Sequence, residues 1–270
     1  MSVKFKIASI PLRMVWADRD ENLANVGRIM SALQPDTDLV VFPELFSTGF
    51  LQDIDVIRSL AEDNDGPTMR TVSKLASDHN VAIAGTFLCI EEGRVYNRGF
   101  IVEPSGERYF YDKRHLFSLS TEHSVFTQGT ELPKAIRYRG WNLSMIVCYD
   151  LRFPAWCRNR DASSFYDIMI VPANWPTSRG FAWRQLLSAR AIENQAVYVG
   201  ANRDGCDDYG DYTDTTFIVN PLGLTISQKD PSTGIYYAEV DKSELEMIRQ
   251  KLPFGNDADD FELACREIKQ

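Results

Sequence analysis

The chain contains no CxxC pair and no HExxH. Its 270 residues include only three histidines (His79, His115 and His123) and five cysteines (Cys89, Cys148, Cys157, Cys206 and Cys265). An odd number of widely spaced cysteines excludes a disulfide framework, and the missing ligand spacings exclude an ordinary zinc site. No run reaches the ~18 apolar residues of a membrane span. Residues 1–8 pass straight into a strand pattern, without the apolar stretch of a secretory signal. Low-complexity segments, internal repeats and Gly/Ser/Pro-rich linkers are absent as well, so one continuous domain over 1–270 is expected. Positive charge is also short: Lys+Arg is 29 against Asp+Glu 38, a net charge of −9. That balance speaks against broad nucleic-acid binding, which leaves a basic footprint. It does not exclude recognition of a small anion by a single buried arginine or lysine. A reduced, soluble, cytoplasmic protein is expected, with no nucleic-acid or membrane partner.

Hydrophobic residues make up 44% of the chain and aromatics 11%, enough for a large core in a chain of this size. Strand-like runs recur at 5–10, 39–42, 81–90, 99–102, 143–147, 168–171, 196–200, 215–219 and 235–240. Helical patterns fall at 20–33, 67–79, 183–194 and 243–251. Pro67 suits a first helical turn, where its missing N–H would be unpaired anyway. Ala182, Leu186, Ala189 and Ile192 keep a helical spacing. Alternating strand and helix predicts an α/β fold. Glu92-Gly93 between two strand-like runs, and Pro104-Ser-Gly-Glu before Arg108, predict hairpins and hence a mixed sheet.

Three segments carry candidate chemistry. In Asp38-Leu-Val-Val-Phe-Pro-Glu44, an apolar run reads as a strand buried on both faces, and Pro43 marks its end because it cannot donate to a ladder. Glu44 is thereby delivered at a strand's carboxyl end among Leu45, Phe46 and Phe50. That apolar setting suits a group that takes up a proton and later returns it; the bland alternative is a carboxylate holding nearby amides or an arginine. The segment 141–154 has the same form: an apolar strand ends and presents Cys148, with a helix expected from Pro154. Backbone N–H groups at such a turn can activate a thiol and hold an oxyanion, whereas most free cysteines are buried and inert. Cys157, expected within that helix, and Cys265, in the tail, read as structural or incidental, and Cys89 and Cys206 lack the setting. Lys113, in Tyr109-Phe-Tyr-Asp-Lys113-Arg-His-Leu-Phe117, could stabilise negative charge on a carbonyl under attack, although most lysines are merely solvated. His115 competes for a role, since Cys–His pairs are the commoner way to activate a thiol.

Together these segments resemble the nitrilase superfamily of carbon–nitrogen hydrolases. The likeness rests on Val41-Phe-Pro-Glu-Leu, Tyr111-Asp-Lys-Arg-His-Leu-Phe and Ile146-Val-Cys-Tyr-Asp-Leu-Arg-Phe-Pro, in order and spaced by 69 and 35 residues. It extends through Pro172-Ala-Asn-Trp-Pro176 and 184–202. The resemblance implies a four-layer α-β-β-α sandwich that pairs as a homodimer, with 241–270 as a C-terminal tail packing at the interface. It implies Cys148 as nucleophile, Glu44 as general base and acid, and Lys113 with the backbone N–H of Tyr149 as oxyanion donors. Glu122, seven residues before Gly129, would orient the lysine. No metal or organic cofactor is implied. The tail, 245–254 and 257–263, is most similar to the omega-amidase subgroup, whose members hydrolyse the terminal amide of 2-oxoglutaramate or 2-oxosuccinamate.

Such a substrate carries a carboxylate away from the scissile bond, which needs a cation or clustered N–H donors once buried. Asn174, Trp175 and Arg179 follow another apolar run and are expected at the same edge as Cys148, Trp175 as a pocket wall, Asn174 as a hydrogen-bond partner of the keto acid and Arg179 as the partner of the carboxylate. Arg152 is a second cation, expected to be held in a local ion pair with Asp150. Two rival readings remain: another amidase or nitrilase of the superfamily, using the same three residues, and a non-enzymatic protein using Cys148 as a reactive thiol sensor.

Overall fold

The computed structural model describes residues 3–159, 165–207, 210–259 and 261–264. Strands β1 (Lys4–Ser9), β2 (Leu39–Val41), β3 (Ala82–Glu91), β4 (Arg94–Val102) and β5 (Arg108–Asp112) begin one sheet. A second sheet is made of β6 (Ile136–Tyr138), β7 (Trp141–Met145), β8 (Ile168–Ala173) and β9 (Val197–Asn202). The short β10 (Cys206–Asp207) and β11 (Gly210–Asp211) pair with each other. Then β12 (Phe217–Val219) closes the second sheet, and β13 (Gln228–Lys229) and β14 (Tyr236–Asp241) return to the first. The sheet orders are β13-β14-β1-β2-β3-β4-β5 and β12-β9-β8-β7-β6. Both are mixed, as the hairpin signals require: β1-β2-β3 and β7-β8-β9 run parallel, and the outer pairs antiparallel.

Period-two alternation assigns each face. Ala8, Val40 and Ile83 point outward, onto α1 (Arg19–Ser31) and the residues around it. Ile7, Leu39, Val41, Ala82 and Ala84 point inward and meet Leu143, Ile168, Ile170, Val197 and Val199 of the second sheet. Successive strand side chains face opposite sides, so these all-apolar runs serve two cores at once. The first sheet's outer face is covered by α1 and α3 (Pro67–His79), the latter beginning at the expected proline; α2 (Ile54–Leu60) lies between them in sequence. The outer face of the second sheet, through Met169, Val171 and Tyr198, packs on Trp183, Leu187 and Ala191 of α5 (Gly180–Asn194). Between α3 and α5 in the chain is the single turn α4 (Glu122–Val125). The result is the expected α-β-β-α layering. After β14, α6 (Lys242–Lys251) is tied to the second sheet where Lys242 and Arg249 both donate to buried Asp167.

Several expectations need correction. The segment 99–102 is the end of a longer strand, β4, whose Asn97 and Arg98 are buried and partnered, Asn97 donating to Glu44 and Arg98 pairing with Asp112 and Glu91. Their polarity hid the strand. Helix α2 went unforeseen, although Asp53 caps it by accepting from the N–H groups of Asp55 and Val56. No helix starts at Pro154. The turn tightens at the cysteine itself as a 3-10 segment, Cys148–Arg152, and Cys157 sits in an irregular turn with its thiol directed to the carbonyls of Asp150 and Phe153. Cys265 lies outside the described residues. The Glu92-Gly93 hairpin forms as read, with both residues at positive φ (50° and 75°), the two-residue geometry that matches strand twist.

Candidate active site

Strand β2 ends before Pro43, and the chain turns at Glu44. Leu45 follows at φ 51°, its N–H donating to Thr86 Oγ1. Leu45 and Phe46 turn into separate apolar clusters, leaving the carboxyl of Glu44 in polar surroundings. This overturns the expected apolar setting. Glu44 is fully buried, and its Oε1 accepts from Lys113 Nζ (2.8 Å) and Asn97 Nδ2 (2.8 Å), its Oε2 from the Asn174 N–H (2.9 Å). Asn174, at the end of β8, also donates its side-chain amide to the Glu44 carbonyl (2.7 Å). A strand end from each sheet is thus bolted to the other at this point.

Lys113 follows β5 and is 1% exposed. Its ammonium contacts both Glu122 oxygens (2.8 and 3.0 Å) besides Glu44, and Glu122 Oε2 also accepts from the Phe117 N–H (2.5 Å). Burial by itself would push the lysine down. The carboxylates of Glu122 and Glu44 more than offset it and hold Lys113 above the ordinary lysine range. Burial pushes Glu122 up, against the pull of Lys113.

Cys148 lies just past β7, at φ 43° and 8% exposed. Burial, with the Glu44 carboxylate beside it, raises its thiol well above the usual range, against Lys113 and the Asn174 N–H. That direction favours the protonated thiol at rest, with the Glu44 side chain beside it. His115 faces elsewhere: its Nδ1 is 2.7 Å from Asp150 Oδ1 and its ring stacks on Phe153 at 3.7 Å.

Cys148 and Lys113 open into a pocket of about 260 Å³, walled by Trp16, Phe50, Phe117, Tyr149, Trp175 and Tyr212. Of the tentative recognition residues, Tyr149, Asn174, Trp175 and Arg179 all line it. Asn174, however, spends its amide N–H groups on Glu44. Trp175 is pinned by Asn202, which bonds both its N–H (2.8 Å) and its carbonyl (2.6 Å). The expected Arg152–Asp150 ion pair does not form, because Asp150 is saturated by Tyr111, His115 and the Val147 N–H. Arg152 instead lies over the Trp175 ring (4.6 Å) and Arg179 over the Phe117 ring (5.3 Å). Both line the pocket, and neither has a carboxylate partner among the described residues. Asn97 and Asn202 are absent from the sequence reading, and Asp150 enters it only as a partner for Arg152. The signal available for each was a lone polar residue inside or beside a strand-like run. Among the described residues no group of three or more His, Cys, Asp or Glu could hold a metal, and no helix is long and apolar enough to cross a membrane.

A thiol and an ammonium opening into one pocket, with a carboxylate buried against the ammonium, suit acyl transfer through sulfur, and comparison with known proteins settles the family. The carbon–nitrogen hydrolase model matches residues 6–250. The chain belongs to the carbon–nitrogen hydrolase family. It is 37% identical to the omega-amidase YafV of Escherichia coli K12 over 260 residues, covering 96% of this chain and 98% of that protein. Identity to the 2-oxoglutaramate amidase of Bacillus subtilis is 29%, covering 94% and 98%. Among solved structures, XC1258 of Xanthomonas campestris, a family member with an arsenic adduct in its active site, superposes with a TM-score of 0.88 at 32% identity, covering 97% and 99%. Hydrolysis of amide carbon–nitrogen bonds is the activity that goes with this membership.

Proposed function

We propose that the protein is an omega-amidase, converting 2-oxoglutaramate or 2-oxosuccinamate to the dicarboxylic keto acid and ammonia. Glu44 takes the Cys148 proton as sulfur attacks the amide carbon. The oxyanion is held by Lys113 Nζ and the Tyr149 N–H; with the two Glu122 oxygens sharing one ammonium N–H and Glu44 taking a second, the third is left for the substrate. Glu44 then gives its proton to the departing nitrogen, ammonia leaves, and a thioester remains. Water, deprotonated by Glu44, adds to the thioester, and the collapsing intermediate expels the thiolate, which regains its proton from Glu44. Glu122 orients Lys113.

The observation that carries the substrate reading is the pair of pocket arginines, Arg152 and Arg179, without carboxylate partners among the described residues. A carboxylate at the far end of the substrate supplies what they lack, and Trp175 and Phe117, beneath them, exclude water. The likeness to YafV and to the Bacillus enzyme supports the same reading. The test is ammonia release from 2-oxoglutaramate, 2-oxosuccinamate, glutamine, an N-carbamoyl amino acid and a nitrile. The two keto-acid amides should lead by kcat/KM. A charged hydrogen bond contributes about 1.5–3 kcal/mol, so Arg179→Ala should raise KM for 2-oxoglutaramate by ~10–100-fold and leave a short aliphatic amide nearly unchanged. Equal effects on both amides would remove Arg179 from carboxylate recognition, and uniformly poor omega-amide hydrolysis by the unmutated protein would reassign it to another amidase class.

The chain is further read as one domain over 1–270 and as a cytoplasmic homodimer with its tail from 241 onward at the interface. In support, Leu252 and Phe254 are exposed on that tail. Sedimentation of the full chain tests the dimer.

A further inference from the structure

The geometry points to Asp150 and His115 as a positioning clasp that sets the nucleophile turn against the segment carrying Lys113. This inference rests on the assignment of Cys148 as nucleophile and Lys113 as oxyanion donor.

The argument starts from strain. Cys148 is a non-glycine residue at φ 43°, a conformation that costs about 1–2 kcal/mol and persists only where the surroundings over-determine it. The Asp150 carboxylate, fully buried, provides much of that determination. Its Oδ2 accepts from the Val147 N–H (3.0 Å), on the residue before the cysteine, while its own N–H donates to the Val147 carbonyl (2.9 Å). These two bonds fold residues 147–150 into a closed ring around the strained cysteine.

The same carboxylate reaches beyond its own turn. Oδ1 accepts from both the N–H (2.8 Å) and the ring Nδ1 (2.7 Å) of His115, two residues after Lys113. Because a carboxylate only accepts, Nδ1 must carry the proton. Tyr111, two residues before the lysine, donates its hydroxyl to Oδ2 (2.8 Å) and accepts from the Trp156 indole (2.8 Å). Residues flanking Lys113 on both sides are thus fastened to a single carboxylate two residues from the sulfur. None of the reacting atoms is touched, yet the distance between thiol and ammonium is set through it. Misplacement by an ångström in such an arrangement costs on the order of 100-fold in rate.

Two substitutions at one position separate hydrogen bonding from packing. His115→Phe keeps a ring to stack on Phe153 and removes the N–H. His115→Asn removes the stack and keeps an N–H near the position of Nδ1. Positioning predicts that His115→Phe lowers kcat at least ~10-fold, with KM within about twofold and the melting temperature within a few degrees. His115→Asn should retain kcat within about threefold. The fall should be the same for 2-oxoglutaramate and for a neutral amide, because the clasp meets neither. Wild-type kcat in His115→Phe, an equal loss in His115→Asn, or unfolding of both variants would overturn the clasp. Ammonia release by Cys148→Ala would instead sink the nucleophile assignment, and weak turnover of omega-amides by the unmutated chain the substrate reading; both are read independently of the His115 pair.

Discussion

The turns at Glu44 and at Cys148 look alike in sequence and are held in opposite ways. Each ends an apolar, parallel strand, one in each sheet, and each contains a residue in the left-handed region: Leu45 beside the carboxyl, and the cysteine itself. At Glu44 the strained residue is buried filler, while the functional side chain is enclosed by donors from Asn97, Lys113 and Asn174. At Cys148 the functional residue carries the strain itself and keeps a small opening to the pocket. A group that must accept and return protons is best held still in a fixed set of hydrogen bonds. A group that must form and break a bond with substrate needs its tip free and its backbone constrained. Strand ends at adjacent edges of two sheets provide both.

The largest expected effect breaks the comparison at its centre. Cys148→Ala should abolish ammonia release while leaving the fold intact, whereas Cys89→Ala and Cys157→Ala should keep turnover. Glu44→Gln should follow closely, lowering kcat by at least the ~10²–10⁴ typical of a general acid-base group, and His115→Asn should cost far less. If the histidine change is the more damaging, the thiol's proton acceptor has been misassigned.

Next comes the enclosure itself. Glu122→Gln removes one charge and turns an amide N–H₂ toward Lys113 or the Phe117 N–H. Lys113 keeps Glu44 as its partner, so the loss is that of a charged hydrogen bond, about 1.5–3 kcal/mol, and the melting temperature should drop by roughly 3–12 °C at ~2–4 °C per kcal/mol. Calorimetry of the variant measures it. An unchanged melting temperature would mean that the cluster does not support the fold.

A third measurement contrasts the resting states of the two turns. Because the Cys148 thiol is raised well above its ordinary value, alkylation of the free protein by iodoacetamide should be slow at neutral pH. The rate should climb through pH 9 and show no plateau below it, with labelling at Cys148 read by mass spectrometry. A plateau near pH 6 would indicate a preformed thiolate.

The smallest effect is on stability at alkaline pH. Cys157, Tyr166 and Tyr198 are all raised by burial, from ordinary values of 9.0 for the thiol and 10.0 for the phenols. Their folded values lie above their unfolded ones, so the unfolded chain releases these protons first as pH rises. Their contribution is complete below about pH 9 and is lost progressively above it. Denaturant midpoints should be flat from pH 7 to 8.5 and decline beyond pH 9.

How much of this was legible beforehand depends on how local the cause was. Helix α3 was readable because Pro67 and the apolar spacing act within one segment. The two hairpins were readable because Glu92-Gly93 and Ser105-Gly106 fix backbone angles by themselves. The strand ends at Glu44 and Cys148 were visible because a short, β-branched apolar run bounded by turn residues reads as a buried strand and must stop somewhere polar. Strand β4 was half-missed, since Asn97 and Arg98 become tolerable inside a sheet only when Glu44 and Asp112 meet them from elsewhere in the chain. The sequence by itself determined the longer strands and the helices with clear apolar spacing, the two-sided burial of the central strands, and, through three motifs in order, the resemblance to a family. Only the tertiary structure decided what each polar side chain faces. It placed Glu44 among donors instead of apolar groups, gave Asp150 to His115 and Tyr111, and so released Arg152 into the pocket. Hydrogen-bond partners 35 to 130 residues apart leave no periodic trace in a sequence, because their pairing is set by which strand ends the two packed sheets bring together.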